Sequence, residues 1–410
     1  MLECYVMVHK IQTQIGVGGT HISKKAKKYV LDVLNSNRLS YGKYVNGFER
    51  KFAKLHGAKY AVMSNSGTSS LQVALHTLKD VHNWQDGDEV LVPSVTFIAT
   101  SNIVLQNNLV PIFVDVDPVT YNIDPNKIES RISARTRAII PVNLFGLPCE
   151  IEEVLRIARD HKLKVLEDSC ETMFANYKGF PVGSRSDITC FSTYIAHLLV
   201  TGVGGIALTN NEEYAISMKS MLNHGRDSIY LNIDDDKGKI RKDREGFFKL
   251  IDRRFSFVRM GYSFRVTELE GALGLAQLEQ WKKIISKRKQ NAAYLIAKLR
   301  VFEEHLQLPT WPDYSEHVFM MFPLVIRKGS PILRDDLVFH LEDHNVETRY
   351  MLPLLNQPYY VKLFGNLEED YPEAAHINRN GFYIGCHQAL KQRELDYVVS
   401  IFEDFFGAHK

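Results

Sequence analysis

The sequence predicts an α/β protein with a large domain built on a mostly parallel sheet and a smaller α+β domain after it. Three observations predict this class. Short apolar runs alternate with helical patterns between residues 58 and 167, which is typical of a parallel sheet covered by helices on both faces. A long helical pattern over residues 266–299 then leads to alternating strands and helices. The length of 410 residues allows each domain its own core.

Each element follows from its periodicity and its flanking residues. Apolar residues at helical spacing predict helices, the first of them stopped by Asn35-Ser36-Asn37, over residues 23–34, 48–55, 70–78, 97–106, 151–161, 211–222, 266–299, 332–342 and 393–406. Short apolar runs bounded by turn residues predict strands over residues 58–64, 89–93, 110–116, 137–142, 164–167 and 319–326. Tyr177-Lys178-Gly179 is expected to form a hairpin turn, and the charged stretch 227–255 a solvated loop.

Composition excludes several classes of partner. The chain has 50 basic and 48 acidic residues, so a net charge of +2 gives no electrostatic footprint for nucleic acid or an anionic membrane. We find no signal-peptide layout and no apolar run long enough to span a bilayer, and we expect a cytoplasmic protein. The five cysteines are scattered without a Cys-x-x-Cys pair, which favours reduced thiols and no metal or iron-sulfur site.

Polar residues at the predicted strand ends are the candidates for a binding site, because ligands of parallel sheets bind there. Asn65-Ser66-Gly67-Thr68-Ser69 joins a strand to a helix and could bind an anion or simply cap the helix. Asp168 closes a strand and could face a cationic group or cap a turn. His197 lies between an apolar strand and a glycine cluster, where an isolated histidine is more often a core residue bonded to the backbone.

Several motifs occur in one order along the chain: Asn65 to Leu71, Gly87-Asp88-Glu89-Val90, Pro93 to Phe97, Glu167-Asp168, Tyr177-Lys178-Gly179, Val182-Gly183-Ser184 and Gly261-Tyr262 through Leu278. Together they resemble the sugar aminotransferase family, which acts on nucleotide-linked keto sugars and has the aspartate-aminotransferase fold of pyridoxal-phosphate (PLP) enzymes. The resemblance implies a large domain over residues 1–280 with a sheet of the seven-stranded type, a small domain over residues 281–410, and a homodimer.

The resemblance also implies roles for single residues. Phe97 is expected to stack on the pyridine ring, and Asp168 to keep its nitrogen protonated. Ser263 stands where the family has an asparagine that reaches the phosphate across the dimer interface. The full expected cofactor set is Gly67, Thr68, Ser69, Phe97, Asp168, Glu171, Ser192 and Ser263, of which Gly67 to Ser69 and Ser192 serve the phosphate.

His197 stands where the family aminotransferases have the lysine that binds PLP covalently, a bond that imidazole cannot make. This exchange, with Glu167-Asp168-Ser169-Cys170-Glu171 and the stretches Glu347-Thr348-Arg349 and Gly381 to Gly385, is similar to the family's 3-dehydratase branch. Lys178, the nearest lysine in sequence, belongs to its own turn motif. One type in that branch carries an iron-sulfur cluster on cysteines after Gly-Arg-Asp; here Gly225-Arg226-Asp227 precedes no such cysteine.

The remaining type works with PLP and glutamate. In it glutamate is expected to convert PLP to pyridoxamine phosphate and 2-oxoglutarate, and His197 to transfer the proton that lets the C3 hydroxyl of a nucleotide-linked 4-keto-6-deoxyhexose leave. Arg349 is the candidate for binding the glutamate carboxylate. Val203 and Ile195-Ala196 depart from the family pattern. Two alternatives therefore remain open: an aminotransferase with His197 as its base, and a catalytically silent protein that binds a sugar nucleotide.

Overall fold

Thirteen strands and thirteen α-helices make up the part of the chain that the computed structural model describes, residues 11–19, 21–227 and 255–408. The strands are β1 (Tyr60–Ser64), β2 (Glu89–Pro93), β3 (Val110–Val114), β4 (Thr136–Ile139), β5 (Lys164–Asp168), β6 (Asn176–Tyr177), β7 (Phe180–Pro181), β8 (Ile188–Ser192), β9 (Gly205–Thr209), β10 (Leu306–Gln307), β11 (Phe322–Ile326), β12 (Thr348–Tyr350) and β13 (Gly381–Ile384).

Helices pack on both faces of the large sheet, and other helices form a second core with the small sheet. They are α1 (Lys24–Ser36), α2 (Lys43–Leu55), α3 (Gly67–Val81), α4 (Ile98–Gln106), α5 (Pro125–Ile128), α6 (Ile151–Asp160), α7 (Glu212–Leu222), α8 (Glu268–Leu278), α9 (Trp281–Leu299), α10 (Arg334–Asp343), α11 (Pro358–Phe364), α12 (Pro372–Asn380) and α13 (Gln392–Ala408). Short 3₁₀ helices occur at Glu129–Arg131, Leu144–Gly146, Arg300–Phe302 and Glu368–Asp370.

The large sheet has seven strands in the order β1-β9-β8-β5-β4-β2-β3. Strands β3, β2, β4, β5 and β8 run parallel, and only β9 is antiparallel to its neighbours β8 and β1. This confirms the mostly parallel α/β architecture. Because Ser64 and Ser192 both pair with Gly205, the ends of β1 and β8 lie on either side of the start of β9, at one edge of the sheet. Asp168 ends the next strand, β5, at the same edge.

The second sheet has four antiparallel strands in the order β10-β11-β13-β12 and forms a separate core with α9, α10 and α13. The division near residue 280 stays a prediction, although α9 begins there. One segment does not follow that division, because Ile15 packs in this second core and forms a β-bridge with Val346. The N-terminal segment therefore lies against the small domain.

The prediction of one continuous helix over residues 266–299 is wrong. The structure has α8 and α9 there, separated at Gln280, whose φ of −112° and ψ of 2° are not helical. The indole of Trp281 stacks on Phe174 with ring centroids 4.7 Å apart and so fixes the start of α9. The strand predicted from residue 319 begins at Phe322 instead, because Phe319 has a φ of +51° that a strand does not accommodate.

Other local predictions are confirmed. The first predicted helix is present as α1, which begins after Ser23, and Lys178 and Gly179 take positive φ in the predicted turn, which joins β6 to β7. Of the charged stretch 227–255, residues 228–254 lie outside the described residues. No helix among the described residues is both long and apolar enough to cross a membrane.

Candidate active site

The link between β1 and α3 forms a tight N-terminal cap. Ser66 is the N-cap residue, and its Oγ accepts a hydrogen bond of 3.0 Å from the backbone N–H of Ser69. A Cβ on Gly67 would lie 2.7 Å from Cβ of Ser192 and 2.9 Å from Sγ of Cys170, so only glycine fits at this position. The first N–H groups of this 15-residue helix thus lie close to the Ser192 hydroxyl. Such a group of donors at a helix N-terminus suits a bound phosphate.

Asp168 is the buried acid of the site. Its side chain is held by two neutral donors, the Thr100 hydroxyl at 2.8 Å and the backbone N–H of Cys170 at 3.1 Å. Burial raises the pKa of this carboxyl, and the hydrogen bonds oppose that rise. A cation beside it, such as a protonated ring nitrogen, reverses the effect of burial and stabilises the carboxylate.

His197 is tied to the same group of residues through Cys170. Its Nδ1 lies 2.7 Å from the carbonyl oxygen of Cys170, and its ring centroid lies 6.1 Å from that of Tyr194. A carbonyl oxygen only accepts, so Nδ1 carries the hydrogen and Nε2 carries the lone pair of the neutral ring. The hydrogen bond to the backbone that is typical of a core histidine is present, and it leaves His197 with a defined proton-accepting atom.

The charge state of His197 follows from its surroundings. Burial lowers the pKa of the imidazole to about 4, and the buried guanidinium of Arg288 acts in the same direction. The ring is therefore neutral at neutral pH, with a free lone pair on Nε2. Lys178 does not take its place, because its ammonium pairs with Glu152 at 2.8 Å and lies over the rings of Tyr177 and Tyr314.

Phe97 and Glu171 flank this centre. Phe97 is the N-cap residue of α4, one turn before the Thr100 that bonds Asp168, and its side chain is 59% exposed. An exposed ring at this position is available to cover a flat heteroaromatic ligand. Glu171 accepts a hydrogen bond of 2.8 Å from the backbone N–H of Phe145, and burial raises the pKa of its carboxyl to about 7.

Three more of the predicted residues have exposed side chains. Thr68 is exposed on the first turn of α3. Ser263 is exposed as well, and its hydroxyl accepts a hydrogen bond of 2.9 Å from Arg265. Arg349 pairs with the carboxylate of Glu347 and stands opposite Tyr383 between β12 and β13. Tyr383 links this edge to the centre, since its ring centroid lies 5.6 Å from that of Phe145. Burial raises the pKa of the Tyr383 hydroxyl, and the negative charge of the nearby Glu171 adds to that rise.

The donor set fits PLP. A phosphate-sized cradle, a buried acid for a ring nitrogen and an exposed ring for stacking lie around one strand edge. Sequence reasoning missed three residues that build this arrangement: Thr100, Cys170 and Tyr383. The spacing of Thr96 and Thr100, whose hydroxyls lie 2.8 Å apart, was the available signal for the first.

Comparison with known proteins identifies the family of this chain. Residues 20–403 match the model of the DegT/DnrJ/EryC1/StrS aminotransferase family. The lipopolysaccharide biosynthesis protein RfbH of Salmonella typhimurium is 31% identical over 95% of this chain and 91% of its own. GDP-perosamine synthase of Caulobacter vibrioides is 30% identical over 94% and 97%. The structure of Escherichia coli GDP-4-keto-6-deoxy-D-mannose-3-dehydratase with bound hydrated PLP superposes with a TM-score of 0.84, at 29% identity over 96% of this chain and all of that one.

Proposed function

Because the chain belongs to the DegT/DnrJ/EryC1/StrS aminotransferase family, and is thus a PLP-dependent enzyme, we propose that it removes the C3 hydroxyl of a nucleotide-linked 4-keto-6-deoxyhexose, with glutamate as nitrogen donor. One observation carries the proposal: His197, at the position of the family lysine, presents a neutral imidazole whose Nδ1 is fixed on the Cys170 carbonyl. Imidazole moves protons but forms no lasting covalent bond to the cofactor.

The cofactor is held without a covalent link in this proposal. The backbone N–H groups of Gly67 and Thr68, with the hydroxyls of Ser69 and Ser192, bind its phosphate. Phe97 covers one face of the ring, and Asp168 binds the ring nitrogen while Thr100 orients the carboxylate. When bound, PLP supplies an electron sink conjugated to the reacting carbon. Glu171 completes the set in this chain, and Ser263 is assigned to the phosphate of a second subunit.

His197 is the proton-transfer residue. Its Nε2 accepts a proton from the substrate side, and the resulting imidazolium returns a proton to the departing hydroxyl, which leaves as water. The Cys170 carbonyl favours this step, because it holds Nδ1–H and accommodates the positive charge that develops on the ring. Burial lowers the pKa of His197 and so favours return of the proton from the imidazolium.

Glutamate supplies the reducing equivalents. It becomes 2-oxoglutarate, the sugar loses one hydroxyl, and the nitrogen leaves as ammonia. The three products therefore form in equal amounts. We assign the glutamate carboxylate to Arg349, whose guanidinium exchanges its contact with Glu347 for the incoming carboxylate.

The second candidate is a nucleotide-sugar aminotransferase with His197 as its base. It is favoured by the 30% identity to GDP-perosamine synthase, which is as high as the identity to the dehydratase structure. In that reaction the sugar keeps the nitrogen, and no ammonia is released. A homodimer and a cytoplasmic location, as the sequence predicts, belong to either proposal.

The experiment that tests the proposed function traces the nitrogen of glutamate into the products. The purified protein is loaded with PLP and supplied with glutamate labelled with heavy nitrogen and a GDP-linked 4-keto-6-deoxyhexose. We expect 2-oxoglutarate, labelled ammonia and a 3-deoxy-4-keto sugar in equal amounts. His197→Asn should lower kcat by about 100-fold or more, because a positioned acid-base residue contributes at least this factor.

The control is His161→Asn, a histidine on the surface end of α6, which should leave the rate unchanged. If the sugar product retained the heavy nitrogen, the enzyme would be an aminotransferase and the dehydratase proposal would be wrong. Tight sugar-nucleotide binding without 2-oxoglutarate would identify a silent binding protein. If borohydride reduction of the resting enzyme attached PLP to a lysine, the argument that His197 replaces the PLP-binding lysine would fail.

A further inference from the structure

Three side chains converge in the small domain, on helices that carry none of the candidate active-site residues. His340 and His344 lie on or at the end of α10, and Asp404 lies on α13. One ligand atom from each lies within 4.8 Å of the others. The spacing of four residues places both imidazoles on one face of the helix, with ring centroids 4.4 Å apart. Two imidazoles and a carboxylate are the ligands that Zn²⁺ prefers with this spacing.

The orientation of His344 is that of a metal ligand. Its Nδ1 lies 2.7 Å from the carbonyl oxygen of His340, so Nδ1 carries the hydrogen and Nε2 carries the lone pair. Metal-bound histidines characteristically donate the opposite N–H to a carbonyl or carboxylate in this way. The Tyr397 hydroxyl donates to the His344 carbonyl at 3.0 Å and ties this residue to α13.

An ion pair alone does not account for the group. Nε2 of His340 lies 3.2 Å from Oδ2 of Asp404, which explains the positions of those two side chains. The ion pair does not involve His344, whose ring nonetheless lies beside that of His340 with the centroids 4.4 Å apart. A divalent cation between the three side chains binds both rings in their neutral form. The side chains of His340 and Asp404 are 23% and 37% exposed, while the Nε2 atom of His340 is itself buried, so the group lies just below the surface.

We propose that His340, His344 and Asp404 form a binding site for a borderline divalent transition metal, with Zn²⁺ as its representative. Two nitrogens and one oxygen select Zn²⁺ over Mg²⁺ and Ca²⁺, which require oxygen ligands. Water completes the four-coordinate shell. The ion joins α10 to α13 and stabilises the small domain; it takes no part in the reaction at His197.

Zinc titration of tag-free, PLP-loaded protein tests the site, after chelation of any bound metal. We expect one Zn²⁺ per chain by calorimetry, no saturable binding of Mg²⁺, and a Tm that rises with zinc concentration. His344→Gln and Asp404→Asn should each weaken zinc binding by about tenfold or more, since even the loss of an outer hydrogen bond costs that much. His161→Gln, which removes a surface histidine elsewhere, is the matched control.

Circular dichroism and PLP content show whether each variant remains folded. Zinc affinity that is the same in the wild type and both ligand variants would place the ion elsewhere and overturn the proposal. If the wild type showed no saturable zinc binding, the proposed metal site would not exist and only the His340–Asp404 ion pair would remain. Equal affinity for Mg²⁺ would contradict the ligand set.

Discussion

The protonation of single residues sets the pH range in which this site works. His197 is neutral above a pKa of about 4, well below the ordinary value of 6.5, because burial disfavours the imidazolium. On acidification, His197 therefore becomes protonated only below the physiological pH range. A change in rate near neutral pH has to come from another group. Burial raises the pKa of the Glu171 carboxyl to about 7, so this group changes its charge in that range.

We therefore predict that kcat/KM of the PLP-loaded enzyme falls as the pH rises through about 7. The sign follows from the raised pKa: below 7 the carboxyl keeps its proton and donates a hydrogen bond into the site, and above 7 it is a carboxylate that only accepts. Glu171→Gln keeps the acceptor for the Phe145 N–H and a donor but cannot ionise. Its profile should be flat across this range.

The control for this profile is Glu152→Gln, a carboxylate on α6 that pairs with Lys178 and Arg185 on the surface. It should reproduce the wild-type pH dependence. A decline near pH 7 that persists in Glu171→Gln would show that another group titrates there.

At the scale of elements, the ends of β1, β5 and β8 and the start of α3 carry the site, and this much is readable from sequence. The Asn65 to Ser69 link is local, so its polar and glycine residues predict the cap directly. Asp168 is predicted because it ends an apolar strand of a parallel sheet. The resemblance to known sugar aminotransferases assigns His197, which local pattern alone would place in the core.

Contacts between distant parts of the chain were not predictable in this way. The carbonyl of Cys170 that orients His197 is 27 residues away in sequence, and nothing in either local pattern signals the pairing. The break between α8 and α9 was missed for a related reason. Helical periodicity continues across Gln280, whereas the turn there depends on Trp281 packing against Phe174, about a hundred residues away in sequence.

The cap at α3 gives a prediction for the element as a whole. Gly67→Ala places a methyl group 2.7 Å from Cβ of Ser192 and 2.9 Å from Sγ of Cys170, so the helix start has to move away from the strand ends. We expect PLP affinity to fall by about tenfold or more, a cost of about 1.4 kcal/mol, measured by cofactor absorbance in equilibrium dialysis.

Gly47→Ala is the matched control, because its Cβ meets only the flexible tip of Leu275 at 3.3 Å in the middle of α2. It should bind PLP like the wild type. Unchanged PLP affinity in a folded Gly67→Ala protein would mean that the cap does not hold the phosphate.

At the scale of the whole molecule, residues 15–19 connect the small domain to the His197 loop. We call this segment the strap. The backbone N–H of Val17 donates to Glu347 at 2.7 Å, and the side chain of Gln388 donates to the Gly19 carbonyl at 3.0 Å. On its other side, Gly18 is so close to Ala196 that a Cβ would lie 3.1 Å from the Cα of that residue. Ala196 directly precedes His197.

A further chain of hydrogen bonds runs from the strap toward the same region. Gln388 accepts a hydrogen bond of 3.0 Å from the buried guanidinium of Arg288, which also donates to the carbonyls of Phe319 and Met320. Arg288 is the charge that helps to keep His197 neutral. The strap therefore couples the position of the small domain to the base of the candidate active site through packing on one side and hydrogen bonds on the other.

This coupling predicts that Gly385→Ala impairs catalysis from a distance. A Cβ at residue 385 would overlap the carbonyl oxygen of Gly16, so the strap has to leave its place on the small domain. We expect faster proteolysis within the strap and a lower kcat, with PLP affinity close to that of the wild type because the α3 cap is untouched. Gly407→Ala, whose Cβ meets nothing within 4 Å, controls for the substitution itself. A Gly385→Ala enzyme with a released strap and full kcat would show that the strap covers the site without positioning His197.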